Sequence, residues 1–151
     1  MMNGKAGLCL ILPFFLAAAL TVNVEAAEGS AKEMVAAFYK MVFYDHKVAE
    51  AFKTYVGPSY RQHNPLVPDG IEPSVAFLSK RFETNPQAVN EIKRVIADGD
   101  LVAVHVHSRL NDADRGRAIV DIFRVDNGRI VEHWDVIQPV PENAQNNNTM
   151  F

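Results

Sequence analysis

The segment RGRAIVDIFRVDNGRIVEHWDVIQPV, Arg115–Val140, decides the fold. Apolar and polar residues alternate with period two on both sides of Asn127-Gly128, the mark of two β-strands. Asn-Gly supplies the positive φ that a two-residue hairpin turn requires. Within the first strand, Ile119, Asp121, Phe123 and Val125 share one face, because successive side chains point to opposite sides. A two-residue turn sets Asp126 against Arg129, which puts Asp121 opposite Trp134 and Phe123 opposite Glu132. His133 and Asp135 then take the reverse face; a bulge at the turn would exchange the two sets.

Working back from this hairpin, AVNEIKRVIADGD (88–100) and DLVAVHVHSRL (100–110) are two more strands, joined at Asp98-Gly99. Before Pro86 the period is helical. SAKEMVAAFYKMVFYDH (30–46) opens with Ser30 and carries Glu33 three residues on, a capping box. Met34, Val35, Phe38, Met41 and Val42 mark its buried face. KVAEAFKTYV (47–56) reads as a second helix stopped by Gly57-Pro58, and SYRQHNPLVPDG (59–70) as a polar loop. IEPSVAFLSKRFETNP (71–86) is a third helix if Pro73 falls in its first turn. Three helices followed by an antiparallel meander predict an α+β fold, with the helices packed on one face of the sheet.

The chain has 151 residues, 48% of them hydrophobic, which suits one domain with one core. A net charge of −3 excludes the basic surface that nucleic acid demands. The N-terminus has Lys5, an apolar run from Leu8 to Leu20, and small residues at Val24 and Ala26. This is the pattern of a secretory signal peptide cut after Ala26, with an apolar run too short to span a bilayer. The expected organisation is therefore 1–26 signal peptide, 27–138 domain and 139–151 tail. The location is periplasmic or secreted, with no membrane contact after cleavage. Cys9, the single cysteine, falls in the signal, so the mature chain has neither disulfide nor thiol chemistry. Met150 and Phe151 end a polar tail and are apolar enough to dock.

Two observations suggest chemistry. Asp121 lies on the same strand face as Ile119 and Phe123, and a carboxylate in an apolar wall is a candidate general acid–base. His105 and His107 sit two apart on one strand, so they share a face. They are packing residues, hydrogen-bond donors to a developing enolate, or ligands of zinc or iron with Asp121 and His63. His63, before a proline, is otherwise a turn residue, and His46 a helix-end residue.

YRQHNPLVPDG, DGDLVAVHVHSR, DIFRVDNGRIVEHWDVIQPVP and the terminal NTMF together resemble the SnoaL-like polyketide cyclase branch of the nuclear transport factor 2-like superfamily. More narrowly they resemble a bacterial group described as aldol condensation-catalysing. The resemblance covers about Ser30 to Phe151. It implies a cone-shaped α+β barrel with a pocket at its open end, and a homodimer through the convex sheet face. It also implies an acid–base aspartate on the penultimate strand, which Asp121 matches. His105 and His107 match a polar residue and a histidine lining the same pocket; the cyclases carry glutamine at the first position. The reading is an exported, cofactor-independent enzyme acting beside the carbonyl of a small apolar compound. Asp121 takes the proton, and His107 and His105 donate to the enolate. His63, Trp134, Phe123 and Ile119 bind substrate, and no metal is required. The alternatives are a non-catalytic binding module of the same fold, or a metal site on the His-x-His pair.

Overall fold

The computed structural model describes residues 31–151; the expected signal peptide, Cys9 and the Ser30 cap lie outside the described residues. Helix α1 covers residues 31–43. Helix α2, Val48–Tyr55, runs directly into strand β1, Val56–Gln62. Helix α3, Ile71–Thr84, follows, with Pro73 in its first turn as expected. Strands β2, Val89–Asp98, β3, Leu101–Arg109, β4, Arg117–Asp126, and β5, Arg129–Pro139, complete the chain.

The sheet has five strands in the order β1-β5-β4-β3-β2, and it is mixed. The four later strands form the expected antiparallel meander, while β1 pairs parallel to β5. Reading 59–70 as a loop is therefore corrected for Ser59–Gln62, which belongs to β1. Gly and Pro hide this strand in the sequence; Pro58 is tolerated because β1 lies at the sheet's edge.

The helices cover one face of the sheet. Val102, Val104, Val106, Ile119, Phe123 and Ile130 from the strands are buried with Val35, Phe38, Tyr39 and Val42 of α1. Phe38 meets Phe52 and Phe123 edge-on, at ring separations of 5.4 and 5.7 Å. Such T-shaped pairs add about 0.5–1.5 kcal/mol beyond the area they bury.

The decisive local feature is a bulge in β5. Asn127 and Gly128 have the expected positive φ, 48° and 69°, and Asp126 pairs with Arg129 and Val125 with Ile130. The register then shifts, Val131 is left over, and Arg124 pairs with Glu132. The shift lets Ile130 be fully buried while the Glu132 carboxylate stays on the outer face, 2.9 Å from the Arg124 guanidinium. An unbulged strand would aim Glu132 into the apolar interior, where an ionised carboxylate is costly. The expected pairing of Asp121 with Trp134 and of Phe123 with Glu132 is thereby overturned. Asp121 pairs with Asp135, and Phe123 with His133.

Residues 140–151 have no helix or strand and fold back over the outer face of the sheet. Phe151 stacks on His107 at 4.2 Å, so the tail docks through its last residue. No helix among the described residues is long and apolar enough to cross a membrane.

Candidate active site

Between the helices and the inner face of the sheet lies an open cavity of about 490 Å³. Its walls are largely apolar, with Phe38, Phe52, Phe77, Leu78, Ile119 and Phe123 prominent. This size and character suit a small organic molecule.

Asp121 is buried in that wall with 6% of its surface exposed. Its Oδ2 accepts a hydrogen bond from Tyr39 Oη at 2.7 Å, and its Oδ1 lies 3.1 Å from His133 Nε2. The surrounding partners fix the direction of nearly every proton. Arg81 can only donate, and its Nη2 is 3.2 Å from Asn90 Oδ1. The Asn90 amide nitrogen therefore donates to Tyr39 Oη, at 2.8 Å, and the tyrosine hydrogen must go on to Asp121. Burial, first, and the neighbouring Asp121 charge push the Tyr39 phenol well above its ordinary pKa, so it remains a neutral donor.

The other side is set from β1. The backbone N–H of Asn64 donates to Gln62 Oε1 at 2.9 Å. That oxygen lies 2.9 Å from His133 Nδ1, so Nδ1 carries a hydrogen and donates it. One proton is left between Asp121 Oδ1 and His133 Nε2. It makes either a carboxylate facing an imidazolium or a carboxylic acid facing a neutral imidazole. Asp135, beside Asp121 across β4 and β5, accepts from the Asn64 side-chain amide.

The sequence-predicted residues divide by face. Asp121, Ile119 and Phe123 line the cavity together. His105 and His107 do not join them. Asp121 pairs with Val104, so Val102, Val104 and Val106 point inward and both histidines point outward. There His107 Nε2 donates to the carbonyl of Arg115 at 2.8 Å, and His105 Nδ1 lies 2.7 Å from the Arg94 guanidinium. Burial, then Arg94, lowers the pKa of His105, so it accepts that bond as a neutral ring. Neither can meet Asp121 at an enolate or a metal ion. His63 stacks flat on Trp134 at 4.8 Å, and its Nε2 is 2.8 Å from Glu132 Oε1. Neither ring lines the cavity. The His63 bond, then Arg124, holds the Glu132 carboxyl below its usual range. His46 stacks on Phe82 and bonds the Ala88 carbonyl, a packing role.

The structure supplies residues the sequence reading did not choose: Tyr39, Gln62, Asn64, Arg81, Asn90, His133 and Asp135. One signal was present. Gln62 and Asn64 alternate in RQHNP just as His133 and Asp135 alternate in EHWD, and the two sets meet pairwise, Gln62 with His133 and Asn64 with Asp135.

The family description "SnoaL-like domain" matches residues 35–133. No curated protein matches the chain by sequence. Among solved structures, a SnoaL-like protein of unknown function from Burkholderia thailandensis has a TM-score of 0.62 at 16% identity, covering 74% of this chain and 96% of its own. A polyketide cyclase, so assigned provisionally, from Acidithiobacillus ferrooxidans gives 0.57 at 18% identity, with coverages of 72% and 87%. A provisionally assigned ketosteroid isomerase from Kribbella flavida gives 0.59 at 17%, with coverages of 79% and 85%. At these identities the likeness is one of fold.

Proposed function

The chain belongs to the SnoaL-like domain family, and on that premise we propose that it is an acid–base enzyme acting beside a carbonyl group. The observation that carries the reading is the 3.1 Å contact between Asp121 Oδ1 and His133 Nε2 at the wall of an apolar cavity. With that proton on His133, the Asp121 carboxylate can take one from a carbon α to a substrate carbonyl. The imidazolium can then return a proton at a second position, as an isomerisation or an aldol-type step requires. Tyr39 steadies the carboxylate, and Gln62 keeps the imidazole in the tautomer that aims Nε2 at Asp121. His133, and not His107 or His105, is the imidazole beside Asp121. Phe123 and Ile119 keep water from the pair.

The test is α-deuterium exchange of 2-tetralone in D2O, a small apolar ketone with an acidic α-proton, followed by proton NMR. The wild-type chain should accelerate exchange, and Asp121→Asn should lose about 10²–10⁴ of that rate. An unchanged rate in Asp121→Asn would sink the reading. Binding of the ketone without exchange would favour a non-catalytic binding module.

A second reading uses the same residues. Donor atoms of Asp121, His133 and Asp135 all lie within 4.8 Å of one another, a spacing compatible with a divalent metal ion. Under it, the purified chain takes up about one zinc or iron, and His133→Gln abolishes uptake.

A further inference from the structure

Arg81 is a cation with no carboxylate in ion-pair contact among the described residues. It leaves the last turn of α3 and spends one terminal nitrogen on two neutral acceptors, Asn90 Oδ1 at 3.2 Å and Ser108 Oγ at 3.0 Å. Its Nε is buried and has no hydrogen-bond partner. A charge taken out of water without an opposite charge costs several kcal/mol. Burial is the main cause lowering its pKa and Arg117 adds like-charge repulsion, against weaker pulls upward from Tyr39, Asp121 and Asp114.

Arg117 is the second half of the site. It opens β4 directly opposite Ser108, the residue Arg81 bonds, and like Arg81 it lines the cavity. It too has no ion-pair partner among the described residues. Two cavity arginines thus converge on one serine, Arg81 by its side chain and Arg117 by strand pairing, in a chain whose net charge is −3. The other lining cation, Lys80, pairs with Glu83 at 3.3 Å. The acidic side of the cavity is already committed: Asp121 is bonded by Tyr39 and His133, and Asp135 by Asn64. Along β4, Arg117 and Asp121 lie four residues apart on one face, roughly 13 Å between their Cα atoms at the usual strand rise.

We propose that the cavity takes an organic carboxylate, its acid group on Arg81 and Arg117 and its apolar body reaching along β4 to Asp121. The inference deepens the acid–base reading and rests on it for what happens at the far end. Guanidinium forks match the two oxygens of a carboxylate. The apolar walls between the two ends favour an organic acid over a small inorganic anion.

The test compares 2-naphthoate with its neutral near-isostere 2-naphthamide, by calorimetric titration of the full chain at pH 7. The wild type should bind the acid about tenfold more tightly than the amide or better. Arg81→Gln should bring the two affinities together while leaving that for the amide within about threefold, whereas Arg81→Lys should retain part of the preference. Arg117→Gln, at an exposed residue, should also reduce the preference, and it serves if Arg81→Gln does not fold. Equal affinities in the wild type, or a full preference surviving in both glutamine variants, would overturn the proposal. Asp121→Asn separates the two readings, because it should keep the preference while losing proton exchange. Exchange by Asp121 without any acid preference would leave the acid–base reading standing and remove the anion site alone.

Discussion

Asp121 was legible as a site residue because its neighbours at Ile119 and Phe123 alternate with it, and alternation survives whatever the strand pairs with. Its partner was not legible. A bulge of one residue decides whether His133 or Trp134 faces inward, and VEHWDV carries no mark of where the extra residue falls. The error at His105 and His107 has another cause. Their own strand fixes only that they share a face. Which face that is depends on the loop between β3 and β4, and a loop of that length sets no register. Tyr39 lay within the expected helix but was not among the residues marking its buried face; its hydroxyl can be fully buried because it is bonded to Asp121 and Asn90. Tyr39→Phe should therefore be more than a conservative change. It removes the donor to Asp121 and leaves the buried Asn90 amide without its acceptor, at a cost of about 1–3 kcal/mol. Denaturant unfolding should show that loss, and proton exchange should fall with it. A variant as stable and active as the wild type would mean the hydroxyl is idle.

At the scale of elements, the Asp114 side chain ties together the two ends of the loop between β3 and β4. Asp114 accepts from the backbone N–H of Leu110 at 2.8 Å and of Gly116 at 2.9 Å. Gly116 has φ +77°, and an added Cβ would lie 2.2 Å from the Ser108 carbonyl oxygen, so the chain has little freedom to re-route. The bond from Leu110, then that from Gly116, holds the Asp114 carboxyl below its usual range. A depressed carboxylate contributes stability above its unfolded pKa and loses it as the pH falls through the folded one. Asp114→Ala should accordingly lower the Tm at pH 7, with the gap to wild type closing below about pH 4. A gap that stays constant into acid would show that the charge plays no part. The meander itself was readable from its two Asx-Gly turns, and the third helix from Pro73. Strand β1 was not, since a parallel edge strand containing Gly57 and Pro58 has no period-two pattern of its own.

For the whole molecule, the sheet separates two environments. The inner face carries Asp121, His133 and the two cavity arginines; the outer face carries both strand histidines and the tail that ends on them. Lys93 also sits over the Phe151 ring, 5.6 Å from its centre. Removing Met150 and Phe151 should cost about 0.5–1.5 kcal/mol, the worth of an aromatic contact, and leave proton exchange and the naphthoate preference as they are. A loss of either would mean that the outer face communicates with the cavity. The α+β class and the helix-over-sheet layering could be read ahead of the structure because they follow from periodicity summed over many residues. The site depends on single-residue offsets, which periodicity averages away. Those offsets carry an evolutionary consequence through Val131. Losing that one codon would remove the bulge and leave Glu132 opposite Arg124 and His133 opposite Phe123, with every later side chain on the face it now has. A lineage of such proteins can therefore lose that residue in a three-nucleotide deletion and keep His133 and Asp135 on the cavity side. Any genealogy drawn from aligned columns would score that event as a trivial gap.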